Sequence, residues 1–397
     1  MIYMARKLED TDSNSETVKI FPSAKTRVLF LTDEMEVGGT QRQIVYIAAQ
    51  LDRNRFEPTV LYFRNSSFLV TELKLAGVKV IEVKKHGRLD LSFLWRLVHI
   101  LRQGRFDVMH CFAFSGELWG TVARWLLIPS KRPALITSVR GTYEWYSRWQ
   151  WALKRRVSAQ SCRVVANSYM GAQYACEHMG LAQHAISVVH NGVQAIQATP
   201  GHAARVRQQL CISSADVMVL FVGRLVDHKD LPTLLRAVAR LRGELPAMRL
   251  VIVGDGPLRG DVSRQITAMA LGETVVLLGE RHDIPDLIAA ADLVVLTSVR
   301  EGLSNVILEG MIGGKPIIAS RAGGNVELVK HGRNGLLFDI GDDAGLADAL
   351  RRLANDEPLR LRLGEGGRLR AHREFSIPSM VQAYERYYED AVRESTA

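Results

Sequence analysis

The chain is 397 residues long, 47% apolar and 23% charged, with 51 Lys/Arg against 42 Asp/Glu for a formal net charge of +9. That length gives room for two or three cored domains, and the composition is that of an ordinary globular chain. No run of eighteen apolar residues occurs, the best candidate (118–128) being broken by Arg124, which argues against a spanning helix. Four cysteines (Cys111, Cys162, Cys176, Cys211) show neither CxxC nor metal-ligand spacing, which argues against a disulfide framework or a thiolate metal site.

Residues 1–24 are polar through 5–17, lack the basic–apolar–small order of a leader, and read as a disordered tail. The one Asp-x-Asp, Asp10 to Asp12, falls in that tail, so no metal site is expected there. Three of the cysteines sit among apolar or small residues, so buried thiols in a reducing, cytoplasmic compartment are the expectation.

From residue 25 onward, strand and helix patterns alternate, which predicts an α/β fold of parallel sheets built from βαβ units. Strands are expected at 26–31, 58–63, 78–83, 107–112, 134–139, 163–167 and 188–190. Gly38 and Gly39 stand between the first strand and an amphipathic helix running to Leu51, where a small turn lets backbone approach a ligand at the sheet's carboxyl edge. His110 and Arg140 stand at the ends of two further strands. Between Lys84 and Arg163 there are fifteen Lys/Arg against four Asp/Glu, and all six tryptophans fall in the same stretch. Within it, residues 143–157 read YEWYSRWQWALKRRV. This segment suits either a lipid–water boundary or a helix packing its aromatics inward, and both readings stay open. No nucleic-acid-binding module is recognisable.

The second half repeats the alternation, with strands expected at 217–222, 249–253, 274–278, 292–297 and 316–319. Asn191–Gly192 tolerates positive φ and predicts a turn, and 194–201 is the loosest connector, so the boundary is placed there. Arg224 and Lys229 emerge at a carboxyl sheet edge, where a bidentate guanidinium and an ammonium suit a diphosphate. Glu301 precedes, and Glu309 lies within, a helix opening near Ser304. The amides of Leu303, Ser304, Asn305 and Val306 at that helix start favour an anion. The spacing therefore suggests a ligand with phosphate in its middle and hydroxyls at either end, a nucleotide sugar. Residues 341–371 and 376–394 are expected to be helical.

Taken together, EGLSNVILEGM, GKPIIAS and GGNVE resemble the glutamate–seven–glutamate signature of family 4 glycosyltransferases. These are retaining sugar-nucleotide enzymes of the GT-B fold, two facing Rossmann-like domains. The resemblance implies an acceptor-side domain at 25–195, a nucleotide-sugar domain at 196–375, and a final helix (376–397) returning to the first domain. GRLVDHKD resembles the family's diphosphate element, with Asp230 where a glycine is usual. VGDGP resembles its Gly-x-Gly-Pro turn, with Asp255 a turn former, and 278–281 matches its nucleobase segment. Catalytic roles are implied for Glu301, Arg224 and Lys229, and donor contacts for Gly38, Gly39, Arg281, Leu303, Ser304, Asn305 and Glu309. The family's His-x-His reads here His110–Cys111–Phe112, leaving His110 and Arg140 as candidate sugar or acceptor contacts. The implied activity is metal- and cofactor-independent transfer of a hexose-type sugar to a glycan or lipid-linked acceptor. It would serve cell-surface polysaccharide or glycolipid synthesis, peripherally at the inner leaflet. A nucleotide-sugar epimerase, or a silent sugar-nucleotide or membrane-binding module, are the alternatives.

Overall fold

The computed structural model describes residues 25–87, 89–195 and 199–396. The expected polar tail, with its Asp10–Asp12 pair, and the centre of the connector lie outside them. The first half runs β1 (Thr26–Leu31), α1 (Gly39–Gln50), β2 (Phe56–Tyr62), α2 (Phe68–Leu75), β3 (Lys79–Glu82), α3 (Leu91–Gly104) and β4 (Val108–Cys111). It continues α4 (Phe114–Trp125), β5 (Ala134–Val139), α5 (Arg148–Ser158), β6 (Arg163–Ala166), α6 (Tyr169–Met179) and β7 (Ser187–Val188). The second half runs α7 (His202–Gln209), β8 (Val217–Val222), α8 (Leu231–Leu241), β9 (Met248–Val253), α9 (Arg259–Ala268), β10 (Val275–Gly279), α10 (Ile284–Ala290) and β11 (Leu293–Leu296). It ends α11 (Asn305–Ile312), β12 (Ile317–Ser320), α12 (Asn325–Leu328), β13 (Gly335–Phe338), α13 (Asp343–Asn355), α14 (Glu357–Glu374) and α15 (Ile377–Thr396).

Seven strands pair in the order β3-β2-β1-β4-β5-β6-β7, and six in the order β10-β9-β8-β11-β12-β13, every pairing parallel. The central strands VMVLFV and LVVL are apolar throughout because helices cover both faces. The molecule is thus two Rossmann-like domains. In each sheet the winding reverses once, between β1 and β4 and between β8 and β11. Ligands of open parallel sheets bind at the carboxyl ends of such strands.

One core of the first sheet takes α1, α2 and α15, and the other takes α3 and α4. In α15, Ile377, Met380, Val381, Tyr384, Tyr388 and Ala391 recur at helical spacing and are all buried. The chain crosses between halves twice at one place, where the Val193 N–H donates to the Phe375 carbonyl at 2.8 Å. Three sequence-based expectations are corrected. The expected strand at 188–190 contributes only Ser187–Val188 to the sheet, while β13 is a strand the periodicity did not reveal. The helical stretch 341–371 is two helices, interrupted at Asp356, whose carboxylate accepts from Leu359 N at 2.8 Å and caps α14. Of the cysteines, only Cys111 and Cys176 are buried. Among the described residues, no helix is long and apolar enough to cross a membrane.

Candidate functional site

Two loops at the second sheet's reversal are stapled together. The Val299 N–H donates to the His228 carbonyl at 2.8 Å, and the Thr297 hydroxyl donates to the Lys229 carbonyl at 2.7 Å. This places Lys229 against Glu301: the ammonium donates to Glu301 Oε1, which also accepts from Ser298 Oγ at 2.7 Å. Both side chains are largely buried. Under them, Gly323 adopts φ +44°, and a Cβ there would stand 2.0 Å from the Glu301 carbonyl oxygen, so only glycine lets the β12 turn support the loop. Asp230 also lies in the left-handed region, at φ 46° and ψ 52°. Asp tolerates that conformation, which explains how it replaces a glycine. Its carboxylate accepts from Thr233 N at 3.3 Å and caps α8. Asp255 accepts from the adjoining Gly256 N at 2.6 Å, as a turn residue does.

Arg224 is exposed and lies near enough to Glu34, in the loop after β1, to oppose the upward shift that burial imposes on that carboxyl. Leu303 is buried, and Ser304 caps α11 through Ile307 N at 3.4 Å. The first amides of α11 have no partner within the helix, as at any helix start.

Asn305 and Glu309, four residues apart, share the face of α11 that meets α1. Asn305 Oδ1 accepts from Gln43 Nε2 at 3.3 Å and Asn191 Nδ2 at 2.8 Å, and its Nδ2 donates to the Gly39 carbonyl at 3.1 Å. The Asn305 side chain thus joins the two halves, and the donor contact expected of this residue is through its backbone amide. A Cβ on Gly39 would lie 3.4 Å from Asn305 Nδ2, so the glycine admits that approach; neither Gly38 nor Gly39 has positive φ. Burial raises the Glu309 carboxyl to about 7, opposed by Arg42 of α1. Burial also raises Tyr46, one turn beyond Arg42, with Glu309 adding to the shift.

Three other candidates are already engaged with protein groups. His110 is fully buried, with Nδ1 2.9 Å from the Tyr388 hydroxyl and Nε2 2.9 Å from Ser138 Oγ. Burial and Arg140 hold its pKa well below the usual value, and the ring joins β4, β5 and α15 in the core. The Arg281 guanidinium pairs with Asp283, with Nε 2.8 Å from Oδ1, which leaves the backbone of 278–281 as the part expected to face a base. Arg140 does lie at the interdomain edge. It donates to Asn191 Oδ1 at 3.2 Å and the Tyr384 hydroxyl at 3.0 Å, leaving Nε buried and unpaired. Its carbonyl abuts Gly302, where a Cβ would come within 2.3 Å of the oxygen.

The segment 143–157 divides. Tyr143, Trp151, Lys154 and Val157 are buried, whereas Trp145, Arg148, Trp149, Arg155 and Arg156 are exposed. Lys154 Nζ lies 2.7 Å from both Glu117 oxygens and 3.0 Å from the Ser138 carbonyl. Burial pushes the Glu117 carboxyl up and Lys154 draws it back. Arg300, beside Glu301, pairs with Glu144 at 3.5 Å and lies 5.9 Å from the Trp145 ring centre. Residue spacing did not reveal Arg42, Tyr46, Ser298, Arg300, or Asp33 and Glu34 after β1. Only the i, i+4 pair Arg42–Tyr46 behind the glycines carried a local signal. Across the hinge, Glu327 accepts from the amides of Tyr169 (3.0 Å) and Met170 (2.8 Å) and lies 3.0 Å from His190 Nε2.

Comparison with known proteins agrees with this architecture. Residues 37–195 match the family described as Glycosyltransferase Family 4, and 203–370 match Glycosyl transferases group 1. A D-inositol 3-phosphate glycosyltransferase of Pseudarthrobacter chlorophenolicus is 30% identical over 283 residues, 68% of this chain and 67% of that protein. The lipopolysaccharide core biosynthesis glycosyltransferase LpsE of Rhizobium meliloti is 36% identical over 167 residues, 42% of this chain and 48% of its own. For several curated relatives, that one included, the shared stretch spans about half of the relative's length. Among solved structures, Anabaena HepE in complex with UDP and glucose superposes with a TM-score of 0.83 at 25% identity, covering 92% of this chain and 100% of that one. With a matching profile in each half, the same two-domain fold and the paired glutamates in place, the chain belongs to the family 4 glycosyltransferases.

Proposed function

We propose that the protein transfers a hexose-type sugar, with retention of anomeric configuration, from a nucleoside diphosphate donor to a glycan or lipid-linked acceptor. The observation that carries this is the Lys229–Glu301 pair at the second sheet's reversal, next to the start of α11 and one strand-loop away from exposed Arg224. The diphosphate lies on the α11 amides between Arg224 and Lys229, where donors already aimed at the site stabilise the charge of the leaving group. These fixed cationic groups do the work of a divalent ion, so neither a metal nor a cofactor is required. Glu309, half-charged near neutrality, accepts from ribose hydroxyls, and Glu301, steadied by Lys229 and Ser298, orients the sugar. The solved Anabaena neighbour, described with UDP and glucose, supports a uridine donor.

The acceptor approaches from the first domain, past Asp33 and Glu34. Its oxygen bonds to the anomeric carbon as the carbon–phosphate oxygen bond breaks on the same face, and its proton passes to the departing phosphate oxygen. A relative named for lipopolysaccharide core biosynthesis supports a cell-surface glycan or glycolipid product. The test is transfer from a UDP-sugar panel, with the product's anomeric configuration read by NMR. Arg224→Ala is expected to lower kcat/KM by at least about a hundredfold with an unchanged melting temperature. Wild-type transfer rates in that variant would refute the assignment.

A further inference from the structure

Six tryptophans are concentrated in the first domain, and four of them lie open to solvent: Trp95 at 69%, Trp125 at 62%, Trp145 at 64% and Trp149 at 61%. Large aromatic side chains are usually mostly covered, and contiguous exposed apolar patches mark contact surfaces. Three of the four stand on neighbouring helices on one side of the first sheet. Trp119 of α4 packs edge-on against Phe93 of α3 at 5.6 Å between ring centres, and Phe114 of α4 lies 6.3 Å from Trp149 of α5. Trp125 Nε1 reaches Gln160, just past α5, at 2.6 Å.

Each helix turns one stripe outward. On α3 it is Leu91, Trp95, His99 and Arg102; on α4 it is Val122, Trp125 and Leu126, followed by Ile128 and Lys131; on α5 it is Arg148, Trp149, Arg155 and Arg156. The spacing of three to four residues makes the α3 and α4 stripes continuous, and on α5 exposed Ala152 lies between the two cationic ends. The three helices together contain one carboxylate, Glu117, and it is sealed against Lys154. The outer face therefore presents indoles, aliphatic side chains and cations without an exposed acid from any of the three helices.

We infer that this face docks on an anionic lipid bilayer. Each stripe sets an indole among cationic or aliphatic side chains, with Arg102, Lys131, Arg148, Arg155 and Arg156 on the same face, which is the pattern of a surface lying at a headgroup boundary. The core of a protein–protein interface is instead depleted of charge. The absence of exposed carboxylates on the helices matches the sign of an acidic leaflet, where each cation adds to the attraction. The face also ends at the cleft. Trp145 lies beneath Arg300, one residue before Glu301, so a docked molecule opens its acceptor side toward the membrane plane. This last point rests on the proposed transfer reaction, whereas the docking face does not.

The experiment is co-sedimentation of the full chain with vesicles of phosphatidylglycerol and phosphatidylcholine, against phosphatidylcholine alone, with tryptophan emission recorded in parallel. Binding to the acidic vesicles, a blue shift of the emission and weakening by salt are expected. Arg155→Gln with Arg156→Gln should lower partitioning at least about tenfold, and Trp95→Ala with Trp125→Ala should remove most of the blue shift. Circular dichroism and the thermal shift produced by UDP, both unchanged in these variants, separate loss of docking from misfolding. Equal binding to neutral vesicles, no binding at all, or a homodimer in sedimentation that protects these tryptophans would each overturn the inference. Vesicle binding without any response to UDP or UDP-sugars would instead sink the transferase reading and leave the face standing.

Discussion

Glu309 shows how a single carboxyl can be costly to the fold and useful to the site. Its pKa in the folded chain, about 7, lies above the ordinary 4.5, because burial disfavours the charge more than Arg42 favours it. A carboxyl whose folded pKa is raised binds its proton more tightly in the fold. It therefore costs nothing below the unfolded value, and its cost grows from pH 4.5 and is complete above about 7. That cost is on the order of 3 kcal/mol at most, reduced by the water reaching its partly exposed side chain. Glu309→Gln should accordingly melt a few degrees above the wild type at pH 8 and together with it near pH 4.5, while losing most of the stabilisation by UDP. A melting difference that does not vary with pH would show that the carboxyl is solvated. At this scale the sequence was informative where spacing is local. Arg224 and Lys229, or Glu301 and Glu309, could be paired on one loop or helix. It was silent on Lys229 meeting Glu301 across 72 residues, and it left His110 open between a packed and a site residue, because a strand buried on both faces does not disclose which face a given residue takes.

Among the elements, α4 and α5 are held to the first sheet by the pair Glu117–Lys154, each side chain 1% exposed. Both partners also satisfy the backbone of Ser138 in β5, whose N–H donates to Glu117 at 3.2 Å. Removing one partner strands a buried charge, so Lys154→Met should destabilise by about 3–5 kcal/mol in chemical denaturation. The double variant Glu117→Leu with Lys154→Met should recover only part of that, since the Ser138 N–H and carbonyl stay unpaired. Full recovery would mean that water takes their place. The strands of the parallel sheets were legible as apolar runs. The two-residue β7 and the edge strand β13 were not, because so few residues carry no usable period. Residues 143–157 offered two readings for a physical reason: α5 buries Trp151 and Lys154 on one side and turns Trp149, Arg155 and Arg156 out on the other.

For the whole molecule, the decisive contacts join parts distant in sequence. Gln43 exchanges two hydrogen bonds with Gly192, donating at 2.9 Å and accepting at 3.0 Å, while Asn305 reaches Asn191 and Gly39. Glu327, from the second domain, caps the start of α6 in the first, and its pKa is held below the usual value by His190 and the two amides despite its burial. The two-domain plan was readable from the alternation of strand and helix. The closed arrangement was not, because each of these contacts pairs side chains or backbone from opposite ends of the chain, and local pattern carries no register for them.

Gly302 turns that arrangement into a means of measuring it. No positive φ is recorded for it, so alanine is compatible with its backbone, yet the added carbon would collide with a main-chain oxygen that cannot rotate away. The two lobes would have to part by roughly the missing van der Waals distance while each kept its own interior. Gly302→Ala should then bind nucleotide through the second lobe with near-normal affinity, transfer sugar poorly, and scatter X-rays as a more extended particle. A compact, fully active Gly302→Ala protein would mean that the lobes need not touch there for chemistry to proceed.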